Sequence, residues 1–169
     1  SGVLVTATTS PAFTITPGAA SKVVFTTQPS ASTAAGTAFA TQPVVTVQDA
    51  NGNTVTGSTA SVTLTLTTGT GTLGGTATMD AVAGVANFSG KGLNINLAGT
   101  NKVLTATSGV LATATTSPAF TITAGAASTI AVNAGNGQSA TAGSAEATDP
   151  SVLVTDANGN PKSGVSVTF

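Results

Sequence analysis

The chain is 169 residues long, with 40% hydrophobic residues, only 5% charged residues and a net charge of −1. It has no cysteine, histidine, tryptophan or tyrosine, which removes disulfide frameworks, thiol catalysis, zinc–thiolate sites and any Ser/His/Asp arrangement. Its cations, Lys22, Lys91, Lys102 and Lys162, are scattered, so no basic stripe exists for nucleic acid. No apolar run reaches the ~18 residues of a membrane span.

In chain order, the first feature is a sentence written twice. Ser1–Thr16 reads SGVLVTATTSPAFTIT and Ser108–Thr123 reads SGVLATATTSPAFTIT, differing only at Val5 against Ala112, at an offset of 108 − 1 = 107 residues. The string DANGN occurs at Asp49–Asn53 and again at Asp156–Asn160, and 156 − 49 is also 107. Recurrence at domain length is the signature of a tandem array. The expected organisation is therefore residues 1–16 as the last strand of one repeat, residues 17–123 as a complete repeat, and residues 124–169 as the first half of the next.

Within the complete repeat the dominant pattern is period-2 alternation of apolar residues with threonine, roughly one residue in five. Branching at Cβ suits threonine and valine to a pleated surface. The alternation predicts strands at Lys22–Thr27, Pro43–Gln48, Ser61–Thr67, Thr76–Met79, Val85–Ser89, Lys102–Thr107 and Leu111–Ile122. Turn signals separate them at Asn51–Asn53, Gly69–Gly75, Ala98–Asn101 and Ser108–Gly109. Pro118 inside the last run predicts a bulge or a change of strand partner, since proline donates no ladder hydrogen bond. The predicted core is Val45, Val47, Val62, Leu64, Leu66, Phe88, Leu104, Ala106, Phe120 and Ile122, with the intervening threonines exposed. Seven short strands in about 100 residues fit an all-β fold of immunoglobulin-like β-sandwich modules in tandem, one complete and two partial. The short joints, Thr16–Ser21 and Thr123–Ser128, predict limited swing between modules.

The next repeat departs from this one in a single place. Gly57 and Gly164 match at 107, whereas Val62, Leu64 and Leu66 match Val165, Val167 and Phe169 at 103. The complete repeat thus carries 107 − 103 = 4 extra residues before its third strand. Residues 124–169 are expected to hold three strands with an uncovered apolar face, to be covered by packing between copies of a longer fibre protein.

Val152–Phe169 (VLVTDANGNPKSGVSVTF), Gly84–Leu93 (GVANFSGKGL) and Asn101–Gly109 (NKVLTATSG) together resemble bacterial immunoglobulin-like domains of the invasin/intimin group. The resemblance covers residues 17–123 as a full module and 124–169 as a partial one. It implies a β-sandwich repeated in extracellular adhesins, stalks and surface fibres, and it brings no catalytic residues.

Four features carry candidate chemistry beside a simpler role. Asp49, Asn51 and Asn53 alternate as in a calcium loop, but Gly52 is fourth and Ala60 is twelfth, where a helical calcium loop needs glycine sixth and glutamate twelfth. A tight turn is the favoured reading there, with calcium the weak alternative. The lysines read as solvated strand-edge residues rather than partners in an isopeptide bond. Asn87-Phe88-Ser89 is a formal N-glycosylation sequon inside a predicted strand. Glu146 and Asp149 are carboxylates close in sequence, with no aromatic platform beside them for sugar hydrolysis.

The expectation from these residues is a non-catalytic structural repeat of an extracellular, cell-surface bacterial fibre, filament or adhesin stalk. Its partners would be other copies or adjacent repeats, with no cofactor, nucleic acid or membrane span. The alternative is an adhesin module that binds a cell-surface glycan or protein, against which stands the lack of tryptophan, tyrosine and arginine as interface anchors.

Overall fold

The computed structural model describes Gly2 and residues 11–168, and within them the chain is all-β. Eleven strands lie in residues 22–123: β1 (Lys22–Thr27), β2 (Ser32–Ala34), β3 (Val44–Gln48), β4 (Ser61–Thr68), β5 (Leu73–Gly74), β6 (Thr78–Asp80), β7 (Val85–Asn87), β8 (Asn94–Ile95), β9 (Gly99–Thr107), β10 (Ala114–Thr115) and β11 (Phe120–Thr123). Two more, β12 (Ala127–Ala134) and β13 (Ser151–Asp156), follow. No helix among the described residues is long and apolar enough to cross a membrane.

β1, β3 and β7 form one antiparallel sheet in the order β1-β3-β7. The larger sheet runs β2-β11-β9-β4-β6, with β10 also paired to β9, and the β2–β11 pair is parallel. The inner rows of both sheets share one core. Val23, Phe25, Val45, Val47 and Ala86 come from the small sheet, and Val62, Leu64, Leu104, Ala106, Phe120 and Ile122 from the large one. Strict alternation explains this: in β4, Val62 and Leu64 turn inward while Ser61 and Thr65 face water. Phe39 packs edge to face on Phe120 with ring centroids 5.5 Å apart. Leu93 and Ile95, both fully buried, join the same core.

The outer rows are threonine-rich and satisfy one another. The Thr63 and Thr78 hydroxyls lie 3.0 Å apart and those of Thr67 and Thr105 2.7 Å apart, the cross-strand pairing expected of hydroxyls on a solvated face.

Several expectations are corrected. Leu66 is only half-buried, because the β4–β9 register shifts between Leu66 and Thr68 as the pair ends. Thr46 is buried, because β3 is the central strand and Thr46 lies between Val24 and Val85. The Ala98–Asn101 turn signal is instead a bulge within β9: Gly99 pairs Ile122 and Lys102 pairs Phe120, with Asn101 at a φ of 56°. The Leu111–Ile122 run is three short pairings. Ala112 bridges β1, β10 pairs β9, and β11 pairs β9 and β2, with Pro118 at the break.

In residues 124–168 only two strands form. Ser163–Thr168 are not a strand, although Val165 and Val167 match residues of β4. β4 is held by β9 and β6, and residues 124–168 contain no counterpart of either, so the ladder has nothing to pair with. The proposed last strand at residues 1–16 falls mostly outside the described residues. Those described, 11–16, form no strand, and Phe13 and Ile15 are exposed where Phe120 and Ile122 are buried.

Candidate functional site

The residues with the densest specific bonding are the two DANGN loops. Asp49 directly follows β3, and Asp156 ends β13. Asp49 Oδ1 accepts the N–H groups of Asn51 (3.0 Å) and Asn53 (2.9 Å), and Oδ2 accepts Gly18 N–H (2.9 Å) and the Asn53 amide Nδ2 (3.0 Å). Asp156 repeats the set at the 107-residue offset. Its Oδ1 accepts from Asn158 (2.8 Å) and Asn160 (2.9 Å) N–H, and its Oδ2 from Gly125 N–H (2.8 Å) and Asn160 Nδ2 (2.8 Å). The sequence dictates this geometry locally. A short carboxylate folds back onto the amides two and four residues on, and glycine supplies the positive φ that closes the loop, 89° at Gly52 and 82° at Gly159. Because Gly18 precedes β1 and Gly125 precedes β12, each aspartate also ties its loop to the segment entering its own strand pair.

Four N–H donors hold each carboxylate in its charged form. Asp49 is lowered to about 2, chiefly by the Asn53 amide and the Gly18 N–H. At Asp156 burial pushes the other way, yet the bonds from Asn160, Gly125 and Asn158 prevail and it too lies at about 2. The same donors occupy the carboxylate oxygens that a calcium ion would need, while the side chains of Asn51 and Asn53 are exposed. Among the described residues no group of three or more His, Cys, Asp or Glu converges as a metal site would require.

The two loops differ in what lies beneath them. Asn53 is exposed, and the one bond described for its side chain is to Asp49. Asn160 is buried at 4% exposure. Its Oδ1 accepts Ala98 N–H at 2.8 Å and its Nδ2 donates to Asn96 O at 2.9 Å, both in the segment joining β8 to β9. Asn158 Nδ2 adds a longer bond, 3.4 Å, to Ala35 O just after β2. Gly36 permits this approach: with φ at 72°, a Cβ there would sit 2.7 Å from Asn158 Nδ2. The loop after β13 is thereby seated on the segments that follow β2 and β8. DANGN is visible in the sequence; Asn96, Ala98 and Ala35 as its seat are not, because two of the three acceptors or donors are backbone carbonyls and the third a backbone N–H.

Lys102 is a second site where the structure departs from expectation. It is 1% exposed rather than solvated, it lies on the central strand β9, and its Nζ donates to Thr70 O. Burial lowers its pKa. The alternation carried the signal: Lys102, Leu104 and Ala106 share the inner row. Glu146 and Asp149 are both exposed, with Glu146 accepting a bond from Gln138. Asn87 ends β7 with its side chain exposed and bonded to Ser89 N–H.

The last surface feature is an open apolar cleft on the β12–β13 pair, lined by Ile130, Val154, Val165 and Val167 among others. Val165 and Val167 thus lie at a surface rather than in a closed core, and Phe169 is outside the described residues. In comparisons with known proteins, the chain matches no family model, no curated protein and no solved structure.

Proposed function

We propose that this chain is a stretch of tandem immunoglobulin-like β-sandwich repeats, similar to those of the invasin/intimin group, and that it serves as a non-catalytic spacer in an extracellular bacterial fibre or adhesin stalk. One observation carries the reading. Two loops of identical sequence, 107 residues apart, adopt the same aspartate-centred structure, and the second is seated on the end of the unit before it. Units joined end to end through a short, bonded joint transmit tension and hold a distal element away from a surface. The pair of sheets over one small-residue core and the threonine-rich outer faces suit such a role. The few charges and the absence of a nucleophile–base pair favour it over catalysis.

The test is single-molecule stretching of the full-length protein that carries these repeats. A spacer gives a regular series of unfolding events, each releasing roughly 350 Å of chain, from 107 residues at about 3.3–3.6 Å each less the folded length. Irregular events of unrelated length would remove the repeat reading. Specific retention of the isolated protein on a glycan or protein array, lost on substitution of loop residues, would instead favour an adhesive module.

A further inference from the structure

We infer that the fifth residue of each DANGN loop, Asn160 and by the same register Asn53, is the clamp that orients a repeat on its predecessor. Accordingly, the Asp49–Asn53 loop, exposed at Ala50–Asn53, is a docking surface for the end of a preceding copy of this repeat. The partner is identified by what the occupied counterpart recognises: a segment offering a carbonyl and an N–H two residues apart, as Asn96 and Ala98 do. The proposal rests on the tandem-repeat part of the reading above and is independent of its extracellular and adhesive parts.

Three observations converge. The internal bonds of the two loops are the same one for one: Asp to Gly in the joint, to two loop N–H groups, and to the fifth-residue amide. The backbone around them also matches. Asp49 N–H donates to Asn53 O at 3.0 Å and Asp156 N–H to Asn160 O at 2.9 Å, while Val55 N–H meets Val47 O at 3.0 Å and Lys162 N–H meets Val154 O at 2.8 Å. Asn53 therefore presents its amide oxygen in the same local frame as Asn160, which already holds Ala98. Finally, Ser1–Thr16 repeats the sequence that leads from β9 into the occupied joint, so the chain entering the Asp49 unit matches the chain entering the Asp156 unit. Primary amides suit the task, since one Asn side chain donates and accepts at once and so fixes an angle as well as a distance.

The experiment uses the whole chain, whose lack of cysteine allows clean labelling. Spin labels at Thr65→Cys and Ala131→Cys, both exposed positions, report the orientation of one unit on the other, and amide hydrogen exchange at Ala98 reports the bond itself. Asn160→Ala is expected to speed Ala98 exchange by about tenfold or more and to broaden the label distance distribution. Asn53→Ala removes the matching Asp–Asn bond in the other loop and is expected to change neither. Identical behaviour of the two variants overturns the clamp. Should Asn160→Ala also release Gly125 N–H, showing that the loop itself has opened, Ala98→Pro replaces it, deleting the N–H that Asn160 Oδ1 accepts and leaving the loop's own bonds in place: a broadened label distance distribution supports the clamp, and an unchanged one overturns it. A chain carrying a copy of residues 17–107 joined before Ser1 tests the docking surface. There the upstream amide matching Ala98 is expected to be protected, and Asn53→Ala to abolish that protection; an unprotected amide in the unsubstituted chain rules out the Asp49–Asn53 surface. Retention on a glycan array, which would displace the stalk reading, would leave all these results unchanged.

Discussion

The β1–β3 pair and the β12–β13 pair are the same local structure in opposite surroundings. Val23, Phe25, Val45 and Val47 match Ile130, Val132, Val152 and Val154 at the 107-residue offset, and the Cα partners match too: Val23 with Val47 and Ile130 with Val154, Phe25 with Val45 and Val132 with Val152. One irregularity recurs, between Phe25 and Thr27 and between Val132 and Ala134, while the shift between Ala127 and Thr129 lies beyond the positions matching β1. Burial does not recur. Val23 and Phe25 are 1% and 8% exposed, whereas Ile130 and Val132 are 56% and 63% exposed. Register, bulge and loop are thus specified by residues close to one another, through pleat and turn chemistry. A dry core is specified by partners from β4, β7, β9 and β11, which only the first pair has.

The largest effect that would break this comparison is a truncation on the inner row. Phe25→Ala is expected to cost about 3–5 kcal/mol and Leu64→Ala about 2–5 kcal/mol, through lost burial and the cavity left behind. Val132→Ala, at the position matching Phe25, is expected to lie within about 0.5 kcal/mol of the parent. Denaturant unfolding of the full chain measures all three. A large cost at Val132 would mean that the β12–β13 face is covered in solution, by self-association or by residues that pack against it.

How far the fold was legible follows from the same distinction. β1, β3, β4 and β9 were readable because five or more residues of alternation leave a period to detect. β2, β5 and β8 were not: they have two or three residues, and β5 lies inside a glycine-rich segment that reads as a turn. With them went Phe39, Leu93 and Ile95, core residues contributed by irregular or very short segments. Lys102 is hard to read because its charge favours solvent while its place in the alternation puts it in the inner row. The site divides likewise. The aspartate loop is local and legible, but its seat on Asn96 and Ala98 is a tertiary contact without a side-chain signature.

Acid sharpens the comparison at the loops. Asp49 and Asp156 both titrate at about 2 when folded, against about 3.9 in an unfolded chain. A depressed carboxylate stabilises the fold above its unfolded pKa, and that contribution is lost as pH falls towards the folded value. Melting temperature is therefore expected to be level above about pH 5 and to fall between about pH 4 and pH 2. Asp49→Asn should remove its own share of that fall. Asp156→Asn should do the same and also loosen the contact with Asn96 and Ala98, since Asp156 positions Asn160. A melting temperature that stays level down to pH 2 would refute the carboxylate-centred account of both loops.

Lys102 probes closure at the centre of the larger sheet. Its aliphatic stem lies in the core while its ammonium ion meets a backbone carbonyl with no carboxylate in the described bonding. Lys102→Met keeps the volume and removes the buried charge, so stability at neutral pH is expected to be unchanged or to rise by about 1 kcal/mol. The sign with pH follows from the lowered pKa. Between the folded and unfolded values the unfolded chain binds more protons, so the parent gains stability as pH rises through that window. The methionine variant should lose this alkaline rise, and a clear loss of stability at neutral pH would show that the Thr70 bond outweighs the burial of charge.

Calcium should produce the smallest effect, and the two loops make it a discriminating test. Each aspartate already accepts four N–H groups, and a cation at that carboxylate would face those donors' hydrogens. Asn160 Oδ1 is further engaged by Ala98 N–H, so the Asp156 loop has less to offer a metal than the Asp49 loop. Chelator and added calcium are both expected to leave the melting temperature unchanged, whereas a bound cation would raise it with concentration. If a shift does occur, Asp49→Asn locates it. Loss of the shift in that variant alone would assign a cation to the Asp49–Asn53 loop, and would mean that the loop opens enough to trade its N–H donors for metal oxygen bonds.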